Sequence, residues 1–142
     1  MYESDPGVVN EGTTMAGAAS GRILVVDDDE SVRRALARLL RSFGFEAQTF
    51  ATAADVLASG PPDDTVCIVA DVWMPDMGGV ELCEHLRAAG HDVPAVFLTG
   101  HGGERPASLV VRDAPVLEKP VVAERLVEAI EAVSRGRSTV RH

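Results

Sequence analysis

The sequence predicts an α/β fold in which a doubly wound, five-stranded parallel sheet carries helices on both faces. Three observations support this prediction. Five short apolar runs have the length of strands, and they alternate with segments whose apolar residues recur every three or four positions, as in helices. The central runs are apolar throughout, which is typical of strands buried on both faces. Helical segments between consecutive strands supply the right-handed crossovers that a parallel sheet requires.

The first strand and the first helix are the clearest elements. RILVV, beginning at Arg22, is a continuous apolar run, and the residues from Asp29 to Ser31 then offer an N-cap. The helix that follows keeps a 3.6-residue apolar period, and Gly44 is placed to end it. Its apolar residues are Val32, Leu36, Leu39, Leu40 and Phe43.

The next elements are shorter. Residues 45–50 alternate loosely between apolar and polar side chains and predict the second strand. Thr52 can cap a second helix through about Ser59, and the Gly-Pro-Pro sequence at 60–62 breaks it. Residues 65–70 form a β-branched run that predicts the third strand.

The second half of the chain repeats this alternation. Residues 80–89 predict a third helix, residues 94–98 a fourth strand and residues 116–117 a short fifth strand. Residues 100–115 make a poor helix, so the fourth helix is expected to be short or mobile. The face of a last helix is marked by Val122, Leu126, Ile130 and Val133.

Length and composition indicate one domain in the chain of 142 residues. We predict a disordered N-terminal tail over residues 1–21, the folded domain over 22–135 and a short C-terminal tail over 136–142. No apolar run approaches the ~18 residues of a membrane span, and a secretory signal is absent, so a cytoplasmic chain without membrane contact is expected. The net charge of −9 argues against direct nucleic acid binding. Cys67 and Cys83 lack metal or redox spacing and are expected to be reduced packing thiols.

Polar residues whose side chains can bind ligands or take part in a reaction follow four of the apolar runs. Asp27 and Asp28 follow the first run and Asp71 the third. Thr99 follows the fourth run, and Lys119, the only lysine of the chain, follows the fifth. Because parallel strands bring their carboxyl ends to the same edge of a sheet, we expect these side chains to converge in one site.

Clustered carboxylates favour a bound cation. Two of them about 4 Å apart repel by roughly 4 kcal/mol at an effective dielectric constant of 20, and a cation relieves that repulsion. Oxygen ligands of this kind suit Mg²⁺, which binds through one or two carboxylates and a phosphate. A carboxylate in such a site can attack a phosphoryl group and form an aspartyl phosphate, whose oxygens Lys119 and Thr99 would contact.

Four segments resemble, in order, the signature segments of the response regulator receiver domain of two-component signalling. They are ILVVDDDESVRRAL, ADVWMPDMGGVEL, PAVFLTG and LEKP, and the resemblance covers about residues 22–135. It implies the flavodoxin-like strand order 2-1-3-4-5. It also implies a signalling module, not an enzyme, that accepts phosphate from a sensor histidine kinase or phosphotransfer protein and acts on a downstream protein target.

The resemblance also assigns roles to individual residues. They are the phosphoacceptor Asp71, the metal-holding pair Asp27 and Asp28, the backbone carbonyl of Trp73 as the further protein ligand to Mg²⁺, the switch hydroxyl of Thr99 and the phosphate-binding Lys119. The Lys119–Pro120 bond is similar to one that is cis in the family. Val116 departs from the family, because Tyr or Phe is usual three residues before the lysine.

Three functions are compatible with these residues. The first is a stand-alone receiver phosphorylated on Asp71, and the second is a phosphate sink or scaffold that accepts phosphate without signalling onward. The third is a phosphatase of the haloacid dehalogenase type, because ILVVDDDES loosely matches its nucleophile segment with Asp27 as nucleophile. One basic stripe on the first helix predicts either a solvated face or a kinase-docking surface, and it consists of Arg33, Arg34, Arg38 and Arg41.

Overall fold

The computed structural model describes residues 21–100 and 114–141, with the side chains of 136–141 excepted. This part of the chain contains five strands and four helices. In chain order they are β1 (Arg22–Val26), α1 (Glu30–Ser42), β2 (Glu46–Phe50), α2 (Ala53–Ser59), β3 (Thr65–Asp71), α3 (Gly79–Ala88), β4 (Ala95–Thr99), β5 (Val116–Glu118) and α4 (Ala123–Arg141). Each predicted strand is present, and its ends lie within one residue of the predicted ends.

The five strands form one parallel sheet in the order β2-β1-β3-β4-β5. This confirms the predicted fold class and strand order. The most apolar runs occupy the centre, where β4 is buried along its whole length and β1 and β3 along nearly all of theirs. The edge strands β2 and β5 retain exposed or half-buried residues, as their weaker apolar patterns indicate.

Alternate residues of each central strand point to opposite faces, and each face has its own core. Ile23 and Val25 belong to one core, which α1 and α4 cover. Leu24 and Val26 belong to the other, which α2 and α3 cover. Helices therefore protect both faces of the sheet, and the polar residues that end the strands are left at its carboxyl edge.

Local signals in the sequence determine where the first two helices begin. Asp29 caps α1, because its Oδ1 accepts hydrogen bonds from the backbone N–H groups of Ser31 and Val32 at 2.9 and 3.3 Å. Thr52 caps α2 by accepting from the N–H of Asp55 at 3.1 Å. Both caps were predicted and are confirmed. Gly44 has a φ of 98°, which the turn after α1 requires and which glycine adopts readily.

The last helix is longer than the sequence indicated. The sequence predicts a domain that ends at residue 135 and a short tail after it, whereas α4 continues to Arg141, so most of that tail is helical. The physical reason is that residues 136–141 contain one glycine and no proline, and one glycine lowers helix stability by only about 1 kcal/mol.

Two predictions fall outside the described residues. They are the disordered tail, of which 1–20 are not described, and the fourth helix, of which 101–113 are not described. Within the described part, Cys67 and Cys83 are buried free thiols, and the Lys119–Pro120 bond is cis. None of the helices described there has the length and apolar character needed to cross a membrane.

Candidate functional site

The carboxyl ends of four strands meet at one edge of the sheet and place the site residues side by side. Val26 pairs with Ala70 in the β1–β3 register, so Asp27 and Asp71, one residue further on, lie next to each other. Across the sheet, Thr99 at the end of β4 pairs with Glu118 at the end of β5. The predicted convergence of these strand ends is therefore present in the fold.

Three carboxylates form an acidic cluster at this edge. Asp27, Asp28 and Asp71 each offer a carboxylate oxygen, and these oxygens all lie within 4.8 Å of one another. Asp27 is completely buried, Asp71 is 6% exposed and Asp28 is exposed to solvent. The cluster thus has two buried carboxylates, Asp27 and Asp71, and is open to solvent on the side of Asp28.

Lys119 bridges the two buried carboxylates. Its Nζ lies 2.7 Å from Oδ2 of Asp71 and 2.8 Å from Oδ2 of Asp27. Its backbone N–H donates to the carbonyl of Thr99 at 2.8 Å, so the end of β4 anchors the segment that carries the ammonium. The only lysine of the chain therefore sits where it compensates two negative charges at once.

Burial and charge act on this group in opposite directions. Burial raises the pKa of Asp27, and the contacts with Lys119 and the backbone N–H of Asp29 only partly offset that effect. Burial alone would lower the pKa of Lys119, but its hydrogen bonds to Asp27 and Asp71 outweigh burial and raise its pKa above the ordinary value. The ammonium therefore stays protonated at neutral pH, whereas burial disfavours the ionised form of Asp27.

The loop after β3 begins with a contact to the central carboxylate. The backbone N–H of Trp73 donates to Oδ1 of Asp71 at 2.9 Å, while Lys119 occupies Oδ2. Trp73 is 52% exposed, so much of this residue is open to solvent. The structure places Trp73 beside Asp71, and the role of its carbonyl as a metal ligand stays a prediction.

Two glycines that were not predicted as site residues let α3 begin directly against the site. A Cβ added to Gly79 would lie 2.8 Å from the carbonyl oxygen of Asp71 and 2.9 Å from Cβ of Ala70. A Cβ at Gly78 would overlap the carbonyl oxygen of Val72. The Gly-Gly pair in ADVWMPDMGGVEL was the available signal, because adjacent glycines at a helix start indicate a close approach of backbone.

Thr99 is buried at the end of β4. It is 1% exposed, and its Oγ1 has no hydrogen-bond partner among the described residues. An unsatisfied buried hydroxyl costs about 1–3 kcal/mol, so its presence here suits a group that meets a ligand oxygen. Leu98, the residue before Thr99, pairs with Asp71, so Thr99 lies one residue beyond the position opposite Asp71.

The donor set fits Mg²⁺. Each buried carboxylate has one oxygen bonded to a backbone N–H and the other next to Lys119, and a carboxylate with about four lone-pair positions retains capacity for a cation. The Asp28 carboxylate makes no hydrogen bond or ion pair within the described part of the chain. Hard oxygen ligands without His or Cys are those that Mg²⁺ prefers.

Comparison with known proteins gives a consistent result. The family model for the response regulator receiver domain matches residues 23–131. The chain is 40% identical over 116 residues to the transcriptional regulatory protein FixJ of Azorhizobium caulinodans, covering 80% of this chain and 54% of that protein. It is 39% identical over 122 residues to the response regulator MprA of Mycobacterium sp. (strain KMS), covering 82% and 52%. The chain thus spans about half the length of these curated relatives.

Solved structures show the same similarity. The crystal structure titled FixJ-N is 35% identical, with a TM-score of 0.73, and the match covers 81% of this chain and 94% of that one. The response regulator StyR is 39% identical, with a TM-score of 0.75, over 84% of this chain and 62% of that one. A receiver domain protein from Clostridium thermocellum, at 24% identity and a TM-score of 0.75, shares the fold.

Proposed function

Since this chain belongs to the response regulator receiver domain family, we propose that Asp71 accepts a phosphoryl group from phosphohistidine. The donor would be a sensor histidine kinase or a phosphotransfer protein, because histidine kinases phosphorylate receiver domains of this family. The observation that carries the proposal is the position of Asp71 between Lys119, at 2.7 Å, and two further carboxylates within 4.8 Å. Phosphoryl transfer depends chiefly on such charge compensation and positioning.

The transfer needs little from the protein beyond placing the nucleophile. One carboxylate oxygen of Asp71 forms a bond to phosphorus while the bond from phosphorus to the donor imidazole nitrogen breaks. The electron pair of that bond stays on the imidazole, which takes up a proton. Lys119 compensates the negative charge that collects on the phosphoryl oxygens, and it is already protonated because its pKa is raised.

Mg²⁺ would be held by the carboxylates of Asp27, Asp28 and Asp71 and by the backbone carbonyl of Trp73. Bound there, Mg²⁺ supplies positive charge that offsets both the carboxylates and the phosphoryl oxygens. Asp27 is the buried member of the cluster, and burial raises its pKa, whereas Asp28 lies on the exposed side. The buried carboxylates of Asp27 and Asp71 would fix the position of the cation, and the cation would enter from the exposed side, where Asp28 lies.

Thr99 would donate its hydroxyl hydrogen to a phosphoryl oxygen on Asp71. The support is that this hydroxyl is buried at the carboxyl edge without another partner among the described residues. A new bond at the end of β4 would favour one conformation of the domain over another. Phosphorylation would thereby shift a two-state equilibrium, as in other phosphorylation switches, and present a surface to a downstream protein target.

Treatment of the purified chain with acetyl phosphate and Mg²⁺ tests the proposal. We expect intact mass to show one added phosphoryl group on the unchanged chain and none on Asp71→Asn. If the protein is instead a phosphatase with Asp27 as nucleophile, the Asp71→Asn variant should continue to hydrolyse acetyl phosphate. Stoichiometric label on that variant, or its continued turnover, would overturn the assignment of Asp71.

The stand-alone signalling receiver and the phosphate sink or scaffold share this chemistry. The two functions differ in whether the phosphorylated chain binds a further protein. Affinity capture with beryllofluoride-treated chain, compared with Asp71→Asn under the same conditions, separates them. A protein retained only by the first favours signalling, and phosphotransfer without any such protein favours the sink.

A further inference from the structure

Arg33, the fourth residue of α1, makes a contact that the proposed mechanism does not use. Its Nη1 donates to the backbone carbonyl of Asp27 at 2.8 Å. The bond joins the helix to the residue directly after β1, where the acidic cluster begins. Arg33 is half-buried. The other three arginines of the basic stripe on α1 are exposed: Arg34, Arg38 and Arg41.

The carbonyl of Asp27 belongs to the peptide group that leads to Asp28. A peptide group is planar, so fixing its oxygen fixes its plane and the direction in which the chain leaves residue 27. The other side of Asp27 is also held, since its N–H donates to the carbonyl of Phe50 at 3.2 Å and its Oδ1 accepts from the N–H of Asp29 at 2.9 Å. Arg33 completes the set of bonds around this turn.

Asp28 depends on the backbone for its position. Its carboxylate makes no hydrogen bond or ion pair with the described residues, yet an oxygen of it lies within 4.8 Å of those of Asp27 and Asp71. An exposed, unpaired carboxylate near two others is repelled by them, so something other than its own contacts must keep it there. The bond from Arg33 to the preceding carbonyl is the side-chain contact that restrains the peptide group leading to Asp28.

We infer that Arg33 is a positioning residue of the acidic cluster, because its guanidinium orients the peptide between residues 27 and 28 and holds the Asp28 carboxylate facing the pocket. This inference deepens the proposed function and rests on it, since the cluster matters through the cation that it holds. Contacts that orient metal ligands commonly account for tenfold or more in metal affinity.

Charge and positioning predict opposite signs for the loss of Arg33. A guanidinium close to a cation site repels Mg²⁺, so removal of its charge alone would strengthen Mg²⁺ binding. Removal of the bond to the Asp27 carbonyl releases Asp28 and would weaken binding. Arg34 is the matched control, because it neighbours Arg33 on the same helix and its side chain pairs with Glu30 at 3.5 Å and not with residue 27.

The test is a Mg²⁺ titration of the full chain, in which the fluorescence of Trp73, the single tryptophan, reports binding. We expect Arg33→Gln to weaken Mg²⁺ binding roughly tenfold and Arg34→Gln to leave it unchanged or slightly tighter. Arg33→Lys should recover part of the loss, because an ammonium can still donate one hydrogen bond to the carbonyl. Equal or tighter binding by Arg33→Gln relative to Arg34→Gln would refute the inference.

A second measurement needs no metal. The amide order parameter of Asp28 in the metal-free chain, obtained from ¹⁵N relaxation, should fall in Arg33→Gln and stay unchanged in Arg34→Gln. An unchanged order parameter in folded Arg33→Gln also refutes the inference. If the unchanged chain gives no Mg²⁺ response and no phosphorylation of Asp71, the proposed function fails instead, and the order parameter still decides what Arg33 does.

Discussion

The ammonium of Lys119 lies 2.7 Å from Oδ2 of Asp71 and joins the end of the central strand β3 to the end of the edge strand β5. The same nitrogen lies 2.8 Å from Oδ2 of Asp27. One cation therefore compensates two buried carboxylates that belong to different strands. Because these groups are mostly withdrawn from water, the loss of the ammonium leaves two carboxylates with uncompensated negative charge.

Lys119→Met should lower the free energy of unfolding of the metal-free chain by about 1–3 kcal/mol, less than for a fully buried pair because the side chain is 22% exposed. Urea unfolding monitored by circular dichroism measures it. Arg87→Met is the control, since Arg87 also pairs with an aspartate, Asp92, but at 4.0 Å and in solvent. Equal effects of the two substitutions would contradict a special electrostatic role for Lys119.

Asp27→Asn should stabilise the metal-free chain at neutral pH. The folded pKa of Asp27 is raised above its unfolded value by burial, so the contribution of this carboxyl is fully present below the unfolded pKa and is lost as the pH rises through the folded pKa. An asparagine keeps the acceptor for the Asp29 N–H without the buried charge.

The gain in unfolding free energy from Asp27→Asn should therefore be small in acid, grow as the pH rises past the ordinary aspartate range and then become constant. Urea titrations of both chains at a series of pH values without Mg²⁺ measure this. A gain that is independent of pH would show that the charge of Asp27 is not its cause. Asp63→Asn, which changes an exposed aspartate before β3, should give no such profile.

The sequence predicted which residues meet in the site, because that depends only on strand ends in a parallel sheet. Asp27, Asp71 and Lys119 follow apolar runs, and the fold then brings such positions to one edge. The caps at Asp29 and Thr52 were also predictable, since an N-cap is a local relation between a side chain and the next two or three N–H groups.

The contacts that hold the site were not predictable in the same way. The bond from Arg33 to the Asp27 carbonyl depends on the path of a long, flexible side chain between two elements. The close approach of Gly79 to Asp71 depends on how deeply α3 docks against β3. Neither relation leaves a periodic signal, because each is fixed by packing in three dimensions. The end of α4 could not be predicted either, since no proline marks it in the sequence.

Mg²⁺ should raise the melting temperature of the chain. A cation that binds only the folded state at 100 times its Kd adds about 2.7 kcal/mol to stability, which is roughly 10 °C for a domain of this size. The double variant Asp27→Asn with Asp28→Asn should lose most of this rise, whereas Asp63→Asn should keep it. Differential scanning calorimetry with and without millimolar Mg²⁺ gives both values. An equal rise in all three chains would place the cation elsewhere.

Gly79→Ala should destabilise the protein by about 1–3 kcal/mol, although alanine is the better helix former. The added methyl group would lie 2.8 Å from the carbonyl oxygen of Asp71 and 3.3 Å from Cδ1 of Phe97, so α3 must move away from the strand that carries the acceptor. Gly100→Ala is the control, because a Cβ there meets nothing within 4 Å. Chemical unfolding gives the stability, and acetyl phosphate labelling of the folded chain shows whether Asp71 is displaced. If Gly79→Ala is as stable as Gly100→Ala and labels at the same rate, the close approach of α3 does not position Asp71.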